Sequence, residues 1–208
     1  MADTSRQASS AITHETLEGV VTVHQAAFPG FFMTQLGPRF LREYYRCVAE
    51  VPTGILLTEV HDGACIGFVA GFIDPVAFYT ELRRRRVRLV LAALRGIGSR
   101  PARLVTLLAN YGRTTTAVRA NRETDTAELS SLGIMPTASG QGVGSRLVRS
   151  FIEAAAIAGA NRVVLTTDAY GNDAVNRFYQ RLGFVCTRTT EARRGRWLNE
   201  YAFAIKRD

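Results

Sequence analysis

Residues 136–145 read Pro-Thr-Ala-Ser-Gly-Gln-Gly-Val-Gly-Ser, which puts glycine at the alternate positions Gly140, Gly142 and Gly144. Glycine lacks the Cβ that keeps consecutive main-chain N–H groups apart. The run from Ser145 predicts a helix whose first-turn amides lack partners and whose positive dipole end faces the loop. Gly140, Gln141, Gly142, Val143, Gly144 and Ser145 are therefore suited to cradle a pyrophosphate. The plainer alternative is a turn that lets a helix and a strand pack closely. No Lys-Ser or Lys-Thr pair follows, which excludes a Walker A loop, and a unit so late in the chain fits a dinucleotide fingerprint poorly. A second segment, 172–184, offers Asn172 as a cap, Val175, Phe178, Tyr179 and Leu182 as an apolar helical stripe, and Gly183 as a stop. Taken alone, that segment reads equally well as pure structure, with Tyr179 a core aromatic whose hydroxyl reaches solvent.

The elements that must position these segments follow from the apolar pattern. It predicts a strand at 127–135, a helix at 145–158, a strand at 162–167, a helix at 173–181, and strands at 184–189 and 198–205. The first strand, the helix ended by Gly159 and the strand at 162–167 form a βαβ unit, with a right-handed crossover and parallel strands. Earlier, 15–28 reads as a helix stopped by Pro29-Gly30, and a second helix starts at Pro38 and runs until Pro52 ends it. Runs 54–60 and 64–73 flank His61-Asp62-Gly63, and Asp-Gly between apolar runs signals a hairpin. Two more helices, 78–95 and 103–111, are separated by Gly96 and Gly98.

With 208 residues and 47% hydrophobic content, one domain is the expectation. The polar start before Ala11 carries no leader signal and no apolar run is long enough to span a bilayer, so a soluble, cytoplasmic protein is expected. Cys47, Cys65 and Cys186 lie far apart and His14, His24 and His61 show no ligand spacing, so neither a disulfide framework nor a metal is expected. The net charge of +8 is local. Residues 77–113 hold nine arginines against the single acid Glu81, which leaves seventeen basic and seventeen acidic residues elsewhere. Three readings of that stretch stay open: a solvated helical face, a lid that attracts an anionic acceptor, and, third in order, a basic amphipathic surface at 83–94 for anionic lipid. Nucleic acid is not an expected partner, because no aromatic side chains interleave the arginines as a stacking surface requires.

The run Leu132-Gly133-Ile134-Met135-Pro136, the Gly142-Val143-Gly144 pair and an Asn172-to-Tyr179 helix closed by Gly183-Phe184 together resemble the acetyl-CoA-binding core of the GNAT superfamily of N-acetyltransferases. The resemblance is close over the last part of the chain and rests on element order over the first 73 residues. It departs at Ser139, where the family pattern has Arg or Gln. That weakens a side-chain contact to phosphate and leaves the main-chain cradle intact.

The resemblance implies an α/β (α+β) GNAT-like fold, a mixed sheet with an antiparallel N-terminal part, a parallel βαβ unit and helices on both faces. It further implies one N-acetyltransferase domain over 1–208, with a basic helical insertion at 77–113 and an acetyl-CoA-binding core at 127–205. The implied reaction is direct transfer of an acetyl group from acetyl-CoA, as donor cosubstrate, to the primary amine of a small acceptor. An amino sugar or another metabolite fits, anionic ones included. Main-chain groups of Leu132, Gly133 and Ile134 would meet the pantetheine arm where the strand splays from its neighbour, and the Leu132 N–H would polarise the thioester oxygen. Asn172 and Asn176 complete the implied cofactor contacts, and Tyr179 would protonate the leaving thiolate. A protonated amine needs a base. Glu128, six residues before Ile134 where some family members carry an acidic base, is the first candidate, and Asp168 is the reserve. Period-two alternation puts Glu128, Ser130, Leu132 and Ile134 on one strand face. The alternative for Glu128 is a solvated strand-end carboxylate. The competing function is a catalytically silent acetyl-CoA-binding or nucleic-acid-associated module on the same scaffold, and the presence of both Glu128 and Tyr179 favours the enzyme. The acceptor's identity and the oligomeric state, a homodimer among the options, stay open.

Overall fold

The computed structural model describes residues 12–97, 125–193 and 195–206. In chain order the elements are α1 (His14–Ala27), α2 (Phe32–Gln35), α3 (Pro38–Glu50), β1 (Gly54–His61), β2 (Ala64–Ile73), α4 (Pro75–Arg84), α5 (Arg86–Ile97), β3 (Thr126–Ile134), α6 (Val143–Ile157), β4 (Arg162–Asp168), α7 (Asp173–Arg181), β5 (Val185–Arg193) and β6 (Arg196–Ala204). The strands form one sheet in the order β1-β2-β3-β4-β6-β5. β1, β2 and β3 pair antiparallel, β3 and β4 pair parallel around α6, and β6 inserts antiparallel between β4 and β5. This is the mixed, helix-flanked architecture expected from the sequence.

Alternation along β2 explains how two cores form. Phe68, Ala70 and Phe72 point to a cluster built with α1, α3 and α4, while Val69 and Ile73 point to a cluster built with α6 and α7. α1 comes so near β2 that a Cβ on Gly19 would lie 2.7 Å from the Cys65 Cβ. The β1–β2 turn uses Asp62 and Gly63, both at positive φ, as the Asp-Gly signal predicts.

Two expectations need correction. The helix predicted at 78–95 is two helices, broken at Arg85, and it begins earlier because the Asp74 carboxylate accepts the Ala77 N–H and Pro75 occupies the first helical position. At the break, Arg85 ties Glu81 and the α3 residue Glu50 together, at 3.0 and 2.5 Å. The last hairpin is longer than its apolar pattern, with β5 continuing to Arg193 past the expected end at Thr189. The short α2 was not expected at all, and the helix predicted at 103–111 lies outside the described residues.

One buried polar group makes the first core sensitive to acid. His24 is 4% exposed, lies among the rings of Phe28, Tyr45 and Phe68, and shares a 2.6 Å hydrogen bond between its Nδ1 and the Tyr45 hydroxyl. Its Nε2 is buried with no partner among the described residues. Burial lowers its pKa from 6.5 to about 4. Between those values the unfolded chain binds the proton and the folded chain does not, so stability is full above pH 6.5 and falls as pH drops toward 4. We expect His24 to cost about 2 kcal/mol of folding stability between pH 7 and pH 5. Urea unfolding at both pH values measures this: His24→Phe should show a flatter pH dependence, and identical slopes for the two proteins would contradict it.

Candidate active site

The geometry of β3 is set by one extra residue. Ala70 stands opposite Ser131 and Gly71 opposite Leu129, so Ser130 is a bulge in the antiparallel ladder with β2. Gly71 accommodates it by close approach: a Cβ there would lie 2.1 Å from the Glu128 carbonyl oxygen. The bulge breaks period-two alternation, and this corrects the expectation that Glu128, Ser130, Leu132 and Ile134 share a face. Glu128 and Ser130 look toward α3 and α4, where Tyr79 donates to Glu128 Oε1 at 3.3 Å and the Tyr44 hydroxyl lies 3.0 Å from Ser130 Oγ. Leu132 and Ile134 pack into the cluster of α6 and α7. Gly133 returns to the first face, where an added Cβ would meet the Phe68 ring at 2.5 Å.

Beyond the bulge β3 also leaves its parallel neighbour. The β3–β4 ladder holds three residue pairs, Thr126 with Arg162, Ala127 with Val163 and Glu128 with Val164, while β4 keeps pairing with β6 as far as Asp168. Leu132, Gly133 and Ile134 thus lie beyond the last of the β3–β4 pairs.

The glycine loop lies where β3 ends. Gly140 and Gly142 adopt φ of +78° and +76°, conformations that suit glycine. Gly142 caps α6 without a side chain, so the amides of Val143, Gly144 and Ser145 form an open first turn. Among the described residues nothing lies within 4 Å of a Cβ added to Gly140. Arg146 ties the loop to the sheet: it donates to the Gln141 carbonyl at 3.0 Å and pairs with Glu59 of β1 at 2.5 Å. The Gln141 side chain donates to the Thr137 carbonyl at 3.1 Å. These contacts fit an anion held by main-chain N–H groups rather than by a side chain at position 139.

α7 closes the far side. A Cβ on Gly144 would sit 3.3 Å from the Phe178 ring, so the first turn of α6 and the middle of α7 meet there. Asn176 accepts from Thr167 Oγ1 at 2.6 Å and donates to the Asp168 carbonyl at 3.1 Å, which pins α7 to the diverging end of β4. Asn172 stands at the N-cap position but makes no side-chain cap bond, contrary to the cap expected of it. Tyr179 is 6% exposed among Phe178, Phe184 and Tyr201. Burial raises its phenol pKa, so the hydroxyl keeps its proton. Asp168 accepts from Arg196 Nε at 2.7 Å. The structure therefore gathers the glycine loop, the edge of β3 and α7 around one gap. It sets Glu128 on the sheet face opposite the Tyr179 cluster.

Four residues here escaped the sequence reading. Tyr44, Tyr79 and Thr167 carry no motif and reach the site only through tertiary packing, whereas Arg146 sits four residues after Gly142, a helical spacing that links it back to the loop. Among the described residues no group of His, Cys, Asp or Glu has the makings of a metal site, and no helix is long and apolar enough to cross a membrane.

Comparison with known proteins agrees with this fold. A solved putative acetyltransferase of the GNAT family from Desulfovibrio desulfuricans superposes with a TM-score of 0.60 at 14% identity, covering 92% of this chain and 94% of that one. The ribosomal-protein-S18-alanine N-acetyltransferase from Escherichia coli gives 0.56 at 13% identity, over 96% and 94%. An aminoglycoside 6'-N-acetyltransferase complexed with coenzyme A gives 0.57 at 14% identity, over 94% of each chain. At these identities the likeness is one of fold. No curated protein matches the chain. The acetyltransferase (GNAT) family, however, matches residues 17–184, and the chain belongs to that family of acetyl-CoA-dependent acetyltransferases.

Proposed function

We propose that the chain transfers an acetyl group from acetyl-CoA directly to the primary amine of a small, hydroxyl-rich acceptor such as an amino sugar. The observation that carries this reading is the divergence of β3 from β4 after three ladder pairs, directly beside the open first turn of α6. The amides of Gly142, Val143, Gly144 and Ser145, with Gly140 and Gln141 shaping the loop, hold the pyrophosphate. Leu132 and Ile134 offer main-chain groups to the pantetheine arm in the manner of an added strand, while Gly133 between them pairs with Phe68 of β2. The Leu132 N–H is the donor assigned to charge that develops on the thioester oxygen. Holding both substrates in one cleft supplies much of the rate.

Glu128 takes the proton of the attacking amine. It is preferred over Asp168 because it stands six residues before Ile134, where the resemblance puts the base, and on the sheet face it shares with Tyr44, Tyr79 and Ser130. Those hydroxyls support a neutral, polyhydroxylated acceptor better than the anionic one suggested by net charge. Tyr179, kept protonated by burial, donates to the departing thiolate. Asn176 acts by holding α7 in place, and Asn172, at the start of that helix, is assigned to the cofactor side.

Glu128→Gln should lower kcat by about a hundredfold with acetyl-CoA affinity unchanged. Thiol release measured with a panel of small amines, with products identified by mass spectrometry, checks it. An unchanged kcat removes Glu128 as base, and coenzyme A binding with no thiol release from any amine supports a silent module instead. Tyr179→Phe should cost about tenfold in kcat, less than the change at Glu128 because a thiolate leaves without full protonation, again with acetyl-CoA affinity intact. Equal turnover of the two proteins with a reactive acceptor would contradict the role.

A further inference from the structure

α5 packs on α3, and its outward face shows Val87, Leu91 and Leu94, 63%, 45% and 43% exposed at helical spacings of four and three residues. Arg83, Arg84, Arg86 and Arg88 are exposed around this stripe. Beside it, a cleft of about 650 Å³ opens between α3 and α5, lined by Arg39, Arg42, Arg46 and Arg88 together with Glu43 and Leu91. Two of these guanidinium groups are already neutralised, since Arg42 pairs with Glu18 and Arg46 with Glu43. Arg39 and Arg88 have no acidic partner among the described residues. None of these residues belongs to the gap between β3 and β4.

A cleft of guanidinium groups recognises phosphoryl oxygens, and an exposed aliphatic stripe bordering it has no use for a free phosphate. Nucleic acid would call for exposed rings to stack on its bases, and the stripe has none. Both halves of the surface are used at once by an interface that carries phosphate beside hydrocarbon. We infer that the α3–α5 face docks on an anionic phospholipid bilayer, with arginines at the headgroup phosphates and Val87, Leu91 and Leu94 in the boundary below them. The opposite signs of protein and lipid provide the attraction, and the stripe makes contact more than electrostatic.

Co-sedimentation of the full chain with vesicles tests this. Phosphatidylcholine vesicles containing phosphatidylglycerol should retain the chain at low salt, whereas phosphatidylcholine alone should not. Raising sodium chloride from about 0.05 M to about 0.5 M should weaken retention, because screening shortens the reach of the charges. Charge reversal at Arg39 and Arg88 together should reduce retention at least tenfold, and Leu91→Asn should reduce it independently of salt. Both variants should keep the wild-type unfolding midpoint and thiol release from acetyl-CoA. Should charge reversal disturb the fold, Val87→Asn, at the most exposed stripe position, carries the same expectation. Equal retention on neutral and anionic vesicles would overturn the inference. So would full retention of Leu91→Asn and Val87→Asn, or binding of soluble pyrophosphate without any vesicle preference. The readout is binding, so it stands whether or not the proposed transfer reaction is found.

Discussion

A main-chain N–H or C=O in a sheet needs a partner, and β3 is built so that part of its edge loses one. The extra residue at Ser130 bends the strand, Gly71 gives the bend room on one side, and on the other side β4 departs after Val164. A regular ladder would have sealed this edge. Instead, among the described residues, a strand edge without a ladder partner follows β3's last pair with β4 and an uncapped helix start follows it in the chain, and such groups suit an extended ligand with an anionic end.

Such an opening survives only where its borders are held. Asn176 does this for α7 with two hydrogen bonds to the end of β4, and Arg146 does it for the loop by joining the Gln141 carbonyl to Glu59. The absence of a Cβ at Gly144 lets Phe178 approach the first turn of α6. Each border is therefore fixed by side-chain contacts to neighbouring elements, and the first-turn amides of α6 take no part in them. The same bulge sorts chemistry by face. Glu128 and Ser130 are turned to the tyrosines of α3 and α4, and Leu132 and Ile134 to the apolar cluster, so polar and apolar side chains occupy opposite sides of one strand.

Local signals were legible in the sequence where local physics decides them. Asp62-Gly63 made its turn, α7 has the expected bounds Asp173–Arg181, and the alternate glycines produced an open helix start. What escaped depends on partners distant in sequence. A bulge is a property of two strands, so Ser130 could not be recognised from β3 alone. The break at Arg85 depends on Glu50 of α3, and the contact of Tyr79 with Glu128 spans 49 positions. Asn176 reads like a cofactor residue by its place in the helix, yet its amide is committed to Thr167 and Asp168.

The most direct test is amide hydrogen exchange, resolved residue by residue, with and without coenzyme A. The account predicts slowed exchange at Val143, Gly144 and Ser145 and at Leu132 and Ile134, in one saturable step. Protection confined to other segments, or unchanged exchange at both places under saturating coenzyme A, would contradict it.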